Sequence, residues 1–245
     1  MNATSLQSRP VEHVENGTTL ESLFVHDAAV SGRRPAVIVC HTWAGRAAPM
    51  IEFATLMARW GYRGLAADIF GKGVLGNSRE ECEALMMPFI RDRAALQRRL
   101  SQVVDVAAGL PEVDPGNIAA VGFCFGGLCV LDLARIGANV RGVASFHGVL
   151  APPGNTVANR IDAKIVAYHG WDDPLAPPEA VLALAAELTA AKADWQLHAF
   201  GGAMHAFTAV EANDPQNGIQ YHEPTARRSV AHLRTFLAEC FGGGT

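Results

Sequence analysis

The stretch "AAVGFCFGGLCV", Ala119 to Val130, decides how this chain is read. An apolar run reaches Gly122, Cys124 follows after one intervening residue, and Gly126 and Gly127 come close behind. The run leading in, "NIAAVGF" (117–123), is short, apolar and bounded by turn residues, as expected of a buried strand. The residues leading out, "GGLCVLDLARIGA", read as a mostly apolar helix closed by Gly137. Cys124 therefore falls at a strand-to-helix junction. Side chains at the flanking positions of so tight a turn would collide with backbone, which glycine avoids. A thiol there also meets the partial positive charge of a helix N-terminus, which stabilises a thiolate. Free cysteines are mostly small buried hydrophobes, so position rather than the thiol itself singles out Cys124.

Working outward, the same alternation of strand and helix recurs. Strands are predicted at 17–26, 36–41, 63–70, 140–148, 163–170 and 194–200. Helices are predicted at 48–61 with Gly61 as C-cap, at 177–191 with proline near the start, and at 224–240. A long helical region from Arg79 to Leu110 is expected to break near Pro88. The three glycines of "GKGVLGNS" (71–78) fit neither phosphate-loop spacing and read as an ordinary turn. The fold class is α/β, with a mostly parallel central sheet, flanking helices and right-handed crossovers. Residues 1–245 are expected to form one domain, with about 1–16 as a poorly ordered N-terminal extension.

Composition narrows the function. Of 245 residues, 49% are hydrophobic and 18% charged, ample for one large core and unlike a disordered chain. A net charge of −4, with no basic run, gives no reason to expect nucleic acid. No apolar stretch reaches membrane-spanning length, and "MNATSLQSRPVEHVENG" has no apolar signal core, so a soluble cytoplasmic protein is expected. Five cysteines without a CxxC pair argue against a disulfide framework and against zinc. No metal and no organic cofactor is required.

Gly122-Phe123-Cys124-Phe125-Gly126 is G-x-nucleophile-x-G, the nucleophile elbow of the α/β-hydrolase architecture with cysteine in place of serine. In this architecture the acid and the histidine follow the nucleophile in that order. Asp172 and Asp173 sit just past the strand "AKIVAYHG", at its carboxyl end, where α/β sheets gather their chemistry. His205 follows the next strand, after a Gly-Gly turn. Such a histidine takes the thiol proton, and an aspartate fixes its tautomer. Asp-Pro pairs also begin ordinary turns, so both aspartates stay open at this point. His41, His147 and His169 lie at strand ends and read as supporting groups.

Four motifs, "CHTWAG" (40–45), "GFCFGG" (122–127), "HGWDDPLAP" (169–177) and "GGAMHAF" (201–207), resemble the dienelactone hydrolase family over about residues 17–240. The resemblance implies Cys124 as nucleophile, His205 as base and Asp173 as acid, because Gly170, Asp173 and Pro177 match the family's G-x-x-D-x-x-x-P pattern. It implies an oxyanion hole from the backbone N–H groups of Phe125 and Trp43. A homodimer is likewise a family-level expectation. Two positions depart from members that hydrolyse dienelactone. Thr42 replaces a glutamate, and Ala209 replaces an arginine that binds the substrate carboxylate; Arg79 aligns loosely with a second family arginine. The expected substrate is therefore a neutral ester or lactone, with Thr42 and Phe207 at the binding site and Trp43, Phe125 and Phe207 suiting an apolar or aromatic group. A hole shaped for a tetrahedral oxyanion also suits the phosphoryl oxygen of a neutral phosphotriester. The rival expectation is a non-enzymatic hydrolase-fold module, a thiol redox sensor or small-molecule binder, with Cys129 near Cys124 in sequence.

Overall fold

The computed structural model describes residues 5–156 and 159–242. Strands β1 (Leu6–Glu15), β2 (Thr18–Asp27), β3 (Arg34–Cys40), β4 (Arg63–Ala66), β5 (Val113–Phe123), β6 (Gly142–Phe146), β7 (Lys164–Gly170) and β8 (Trp195–Phe200) form one sheet. Its order is β1-β2-β4-β3-β5-β6-β7-β8. Strands β3 to β8 run parallel, while the β1–β2 hairpin is antiparallel and joins β4 antiparallel. A short hairpin, β9 (Asn213–Asp214) and β10 (Ile219–Gln220), lies outside the sheet.

The helices are α1 (Ala48–Arg59), α2 (Arg79–Arg91), α3 (Arg93–Ala108), α4 (Phe125–Arg135), α5 (Pro178–Ala190) and α6 (Glu223–Cys240). Residues of β3 alternate between two cores, as the two-residue strand period requires. Ala36, Ile38 and Cys40 join Leu96, Leu100, Leu128 and Leu184 of α3, α4 and α5 on one face. Val37 and Val39 join Met57, Leu233 and Phe236 of α1 and α6 on the other. A sheet covered on both faces explains why its inner strands read as unbroken apolar runs.

Three expectations need correction. Of the expected N-terminal extension, residues 1–4 lie outside the described residues, and Leu6–Glu15 is no extension: β1 pairs with β2 along its whole length, and Arg9 reaches Glu112 at 3.1 Å. The break in the long helix falls at Asp92, whose side chain accepts the Ala95 N–H at 2.9 Å and starts α3. Pro88 is absorbed within α2, where both it and Ala84, whose carbonyl it leaves without a helical donor, are exposed. The strand predicted over 63–70 ends at Ala66, because the Asp68 carboxylate takes the N–H groups of Phe70 and Gly71 into a turn.

Candidate active site

The site forms on the carboxyl rim of the sheet, where β3, β5, β6, β7 and β8 deliver their following loops. Cys124 caps the N-terminus of α4 with φ 55° and ψ −115°, a left-handed conformation that non-glycine residues rarely adopt. The turn is held by Cys124 N–H to Phe146 O at 3.0 Å and Gly127 N–H to Cys124 O at 2.9 Å. The flanking glycines are required by close approach. A Cβ on Gly122 would lie 1.9 Å from Gly126 O, and one on Gly126 would lie 2.2 Å from Cys40 O. Strain of this kind collects where a side chain must be aimed. Cys124 alone among the five cysteines is only partly buried; the other four are buried.

Asp173 follows β7 and is buried, while its neighbour Asp172 is exposed. The Asp173 carboxylate accepts the Leu175 N–H at 2.8 Å through Oδ1 and meets His205 Nδ1 at 2.8 Å through Oδ2. His205 is buried, and its Nε2 has no hydrogen-bond partner among the described residues. Cys124, at the start of α4, couples electrostatically to this ring. Burial opposes charge on the ring. The interactions with Cys124 and the Asp173 carboxylate outweigh it and raise the His205 pKa from 6.5 to about 10. The structure thus brings together the three side chains that the sequence separates by up to 81 positions, from Cys124 to His205.

Two neighbouring histidines behave oppositely. His147 stands edge-on to His205, ring centroids 5.2 Å apart, and its Nε2 lies 2.8 Å from Thr208 Oγ1. Burial, with the charge on His205 second, pushes its pKa well below the usual value. Burial also lowers His169. Of the three rings, only His205 has its pKa raised.

The loop after β3 supplies Thr42, which is partly exposed, and Trp43. Phe125 is the first residue of α4, so its N–H lacks an intrahelical acceptor. Among the described residues, neither the Phe125 nor the Trp43 N–H donates to a loop or turn carbonyl. The Phe125 ring is fully buried and stacks on Phe70 at 5.6 Å, so it offers no side-chain surface to a ligand. Phe207 corrects the sequence expectation. It is fully buried, edge-on to His147 at 5.0 Å, and packs beneath the histidine loop rather than lining the surface.

One supporting device was missed. The β9–β10 hairpin staples the histidine loop: His205 N–H donates to Gly218 O at 2.9 Å, and Gln220 N–H donates to His205 O at 3.0 Å. Gly218 has φ 72°, and a Cβ there would lie 2.2 Å from Pro174 Cγ, so the hairpin also abuts the aspartate loop. The only sequence signal was the turn residue Gly218. Among the described residues, no group of three His, Cys, Asp or Glu side chains is placed to hold a metal, and no helix is long and apolar enough to cross a membrane.

A doubly covered, mostly parallel sheet with a cysteine elbow after its central strand defines an α/β-hydrolase. The family model for the dienelactone hydrolase family matches residues 20–241, and the chain belongs to that family. It is an enzyme of the carboxylic ester hydrolase class. A solved structure of a dienelactone hydrolase-like promiscuous phosphotriesterase from metagenomic libraries is 32% identical, covers 97% of this chain and 99% of its own, and superposes with a TM-score of 0.91. An uncharacterized Caenorhabditis elegans protein is 36% identical over 149 residues, 60% of this chain and 94% of its own. A Synechocystis protein provisionally assigned as a carboxymethylenebutenolidase is 26% identical over 199 residues, 75% of this chain and 80% of its own.

Proposed function

We propose that the chain hydrolyses neutral carboxylic esters and lactones through a thioester on Cys124. The observation that supports this reading is a buried His205 bonded through Nδ1 to Asp173, coupled to Cys124, and left with no partner on Nε2 among the described residues. The sulfur attacks the carbonyl carbon, and the oxygen takes up the electron pair of the C=O π bond. The Trp43 and Phe125 N–H groups receive that oxyanion. Losing one such donor typically costs about 10²- to 10³-fold in kcat. As the C–O bond breaks, the His205 imidazolium gives its proton to the leaving alkoxide.

Acylation then changes the histidine. A thioester carries no charge, so the sulfur no longer supports the imidazolium and burial pulls the ring toward neutrality. Neutral His205 takes a proton from water, hydroxide attacks the thioester, and the thiolate leaves as the carboxylic acid is formed. One residue thus serves as acid and then as base because the charge beside it comes and goes.

The rim favours an uncharged substrate. Thr42 and Ala209 bring no charge, and Arg79 is occupied by Glu83 on the exposed face of α2. Trp171 and Leu175, on either side of Asp173, are 42% and 53% exposed and offer apolar contact. A second reaction is supported by the phosphotriesterase relative: attack of the sulfur on a neutral phosphotriester, with the phosphoryl oxygen in the same hole. Against a thiol sensor paired through Cys129 stands that residue's complete burial, which raises its thiol pKa well above the usual value.

The test is to trap the adduct. Incubation with p-nitrophenyl butyrate, and separately with paraoxon, followed by peptide mass mapping, is expected to place an acyl or phosphoryl group on Cys124. Cys124→Ala is expected to abolish both the adduct and turnover; full turnover by that variant would refute the mechanism.

A further inference from the structure

His41, at the end of β3, is completely buried, and both of its ring nitrogens are engaged. The Ile69 backbone nitrogen lies 3.1 Å from Nε2. A backbone N–H can only donate, so Nε2 holds a lone pair. The proton of the neutral ring is then on Nδ1, which donates to the Thr42 carbonyl at 2.6 Å. Burial keeps the ring neutral, lowering its pKa from 6.5 to about 4. The same carbonyl accepts a second bond from the Gly45 N–H at 3.2 Å.

The Thr42 carbonyl and the Trp43 N–H are the two ends of one planar peptide unit. Fixing the direction of the first fixes the direction of the second. Two donors on the carbonyl also polarise the unit and strengthen its N–H as a donor. The rest of the loop is held as firmly. Gly76 N–H reaches Ala44 O at 3.1 Å, Gly45 bridges to Leu75, and Ala44 N–H reaches Thr42 Oγ1 at 3.3 Å.

We propose that His41 is a positioning residue: by holding the Thr42 carbonyl, it aims the Trp43 N–H at the oxyanion. The inference rests on the thioester reading above and adds a side chain that touches neither substrate nor nucleophile. An aromatic hydrocarbon would satisfy the packing of this ring against Phe70, whose centroid is 4.6 Å away. It would satisfy neither hydrogen bond.

Two amide variants separate the bonds. His41→Asn keeps an N–H near the Nδ1 position, while His41→Gln keeps an acceptor near the Nε2 position and loses the donor to Thr42. Burst acylation by p-nitrophenyl acetate is expected to slow by about 10- to 100-fold in His41→Gln, with KM within about threefold and most of the rate recovered in His41→Asn. Alkylation of Cys124 by iodoacetamide, a displacement that forms no oxyanion, is expected to stay within about twofold in both variants. Parental acylation by His41→Gln, or acylation and alkylation slowing together, would overturn the proposal. On the unmodified enzyme, long-range 1H–15N correlation spectra are expected to show the His41 proton on Nδ1. A proton on Nε2 overturns the proposal even if the variants fail to fold. Failure of the thioester reading itself is seen separately, as turnover by Cys124→Ala.

Discussion

Replacing Cys124 by alanine removes the side chain that couples to His205, and the ring then answers to its burial and to Asp173. The His205 pKa is expected to fall from about 10 toward neutrality in that variant, measured by histidine NMR titration. A value still near 10 would mean that the sulfur does not couple to the ring. Asp173→Asn loses the negative charge and leaves one oxygen for the two donors Leu175 N–H and His205 Nδ1–H; turning its NH2 to Nδ1 selects the wrong tautomer, and kcat is expected to fall by about 10²- to 10⁴-fold, with the fold intact by circular dichroism. The residues of this trio were legible because each sits in a short motif at a strand end, and their order along the chain matches the architecture. Choosing Asp173 over Asp172 needed the family pattern; the exposure of Asp172 agrees with that choice. Phe207 was misread because nothing local to a loop phenylalanine says whether it points outward or under the loop. The two bonds of His41 were equally hidden, since Ile69 lies 28 positions away.

The elements were read most accurately where one period rules a whole segment. Inner strands and the helices α1, α4, α5 and α6 fall close to their expected places. Errors arose where a side chain intervened: Asp68 ended β4 early, and Asp92 rather than Pro88 set the helix break. The segment β1 was discounted because its exposed, polar sequence gives no core signal; it is ordered by pairing with β2. Removal of residues 1–16 is accordingly expected to lower the urea midpoint and to promote association through the uncovered β2 edge, read by light scattering. The contact of α4 with β3 is a harder constraint. Gly126→Ala drives a Cβ into the Cys40 carbonyl and is expected to destabilise by at least about 2 kcal/mol in urea unfolding.

Across the whole molecule, buried and half-buried histidines contribute to the response to acid. His41 has a folded pKa of about 4, below its usual 6.5, and His147, His169, His13 and His198 are shifted the same way, each first by burial. Between those limits the unfolded chain binds more protons, so stability falls as the pH drops from about 6.5 toward 4. His41 alone contributes on the order of 3 kcal/mol to that loss. His205 has the opposite sign. Its contribution is complete below 6.5 and disappears as the pH rises through about 10. Urea midpoints measured from pH 4.5 to 10.5 are expected to peak between these limits; an acid-flat profile would show that the histidines are not buried in neutral form. The crowding of all chemistry onto the carboxyl rim also has a practical consequence. The chain holds three lysines. Lys72 is engaged by Glu12 and Glu21 and Lys164 by Asp194 and Glu239, which leaves the exposed Lys192, just before β8 at the opposite rim, as the lysine without a carboxylate partner among the described residues. Amine-reactive beads would therefore grip this catalyst by its blind side, leaving its mouth turned toward the flowing liquid.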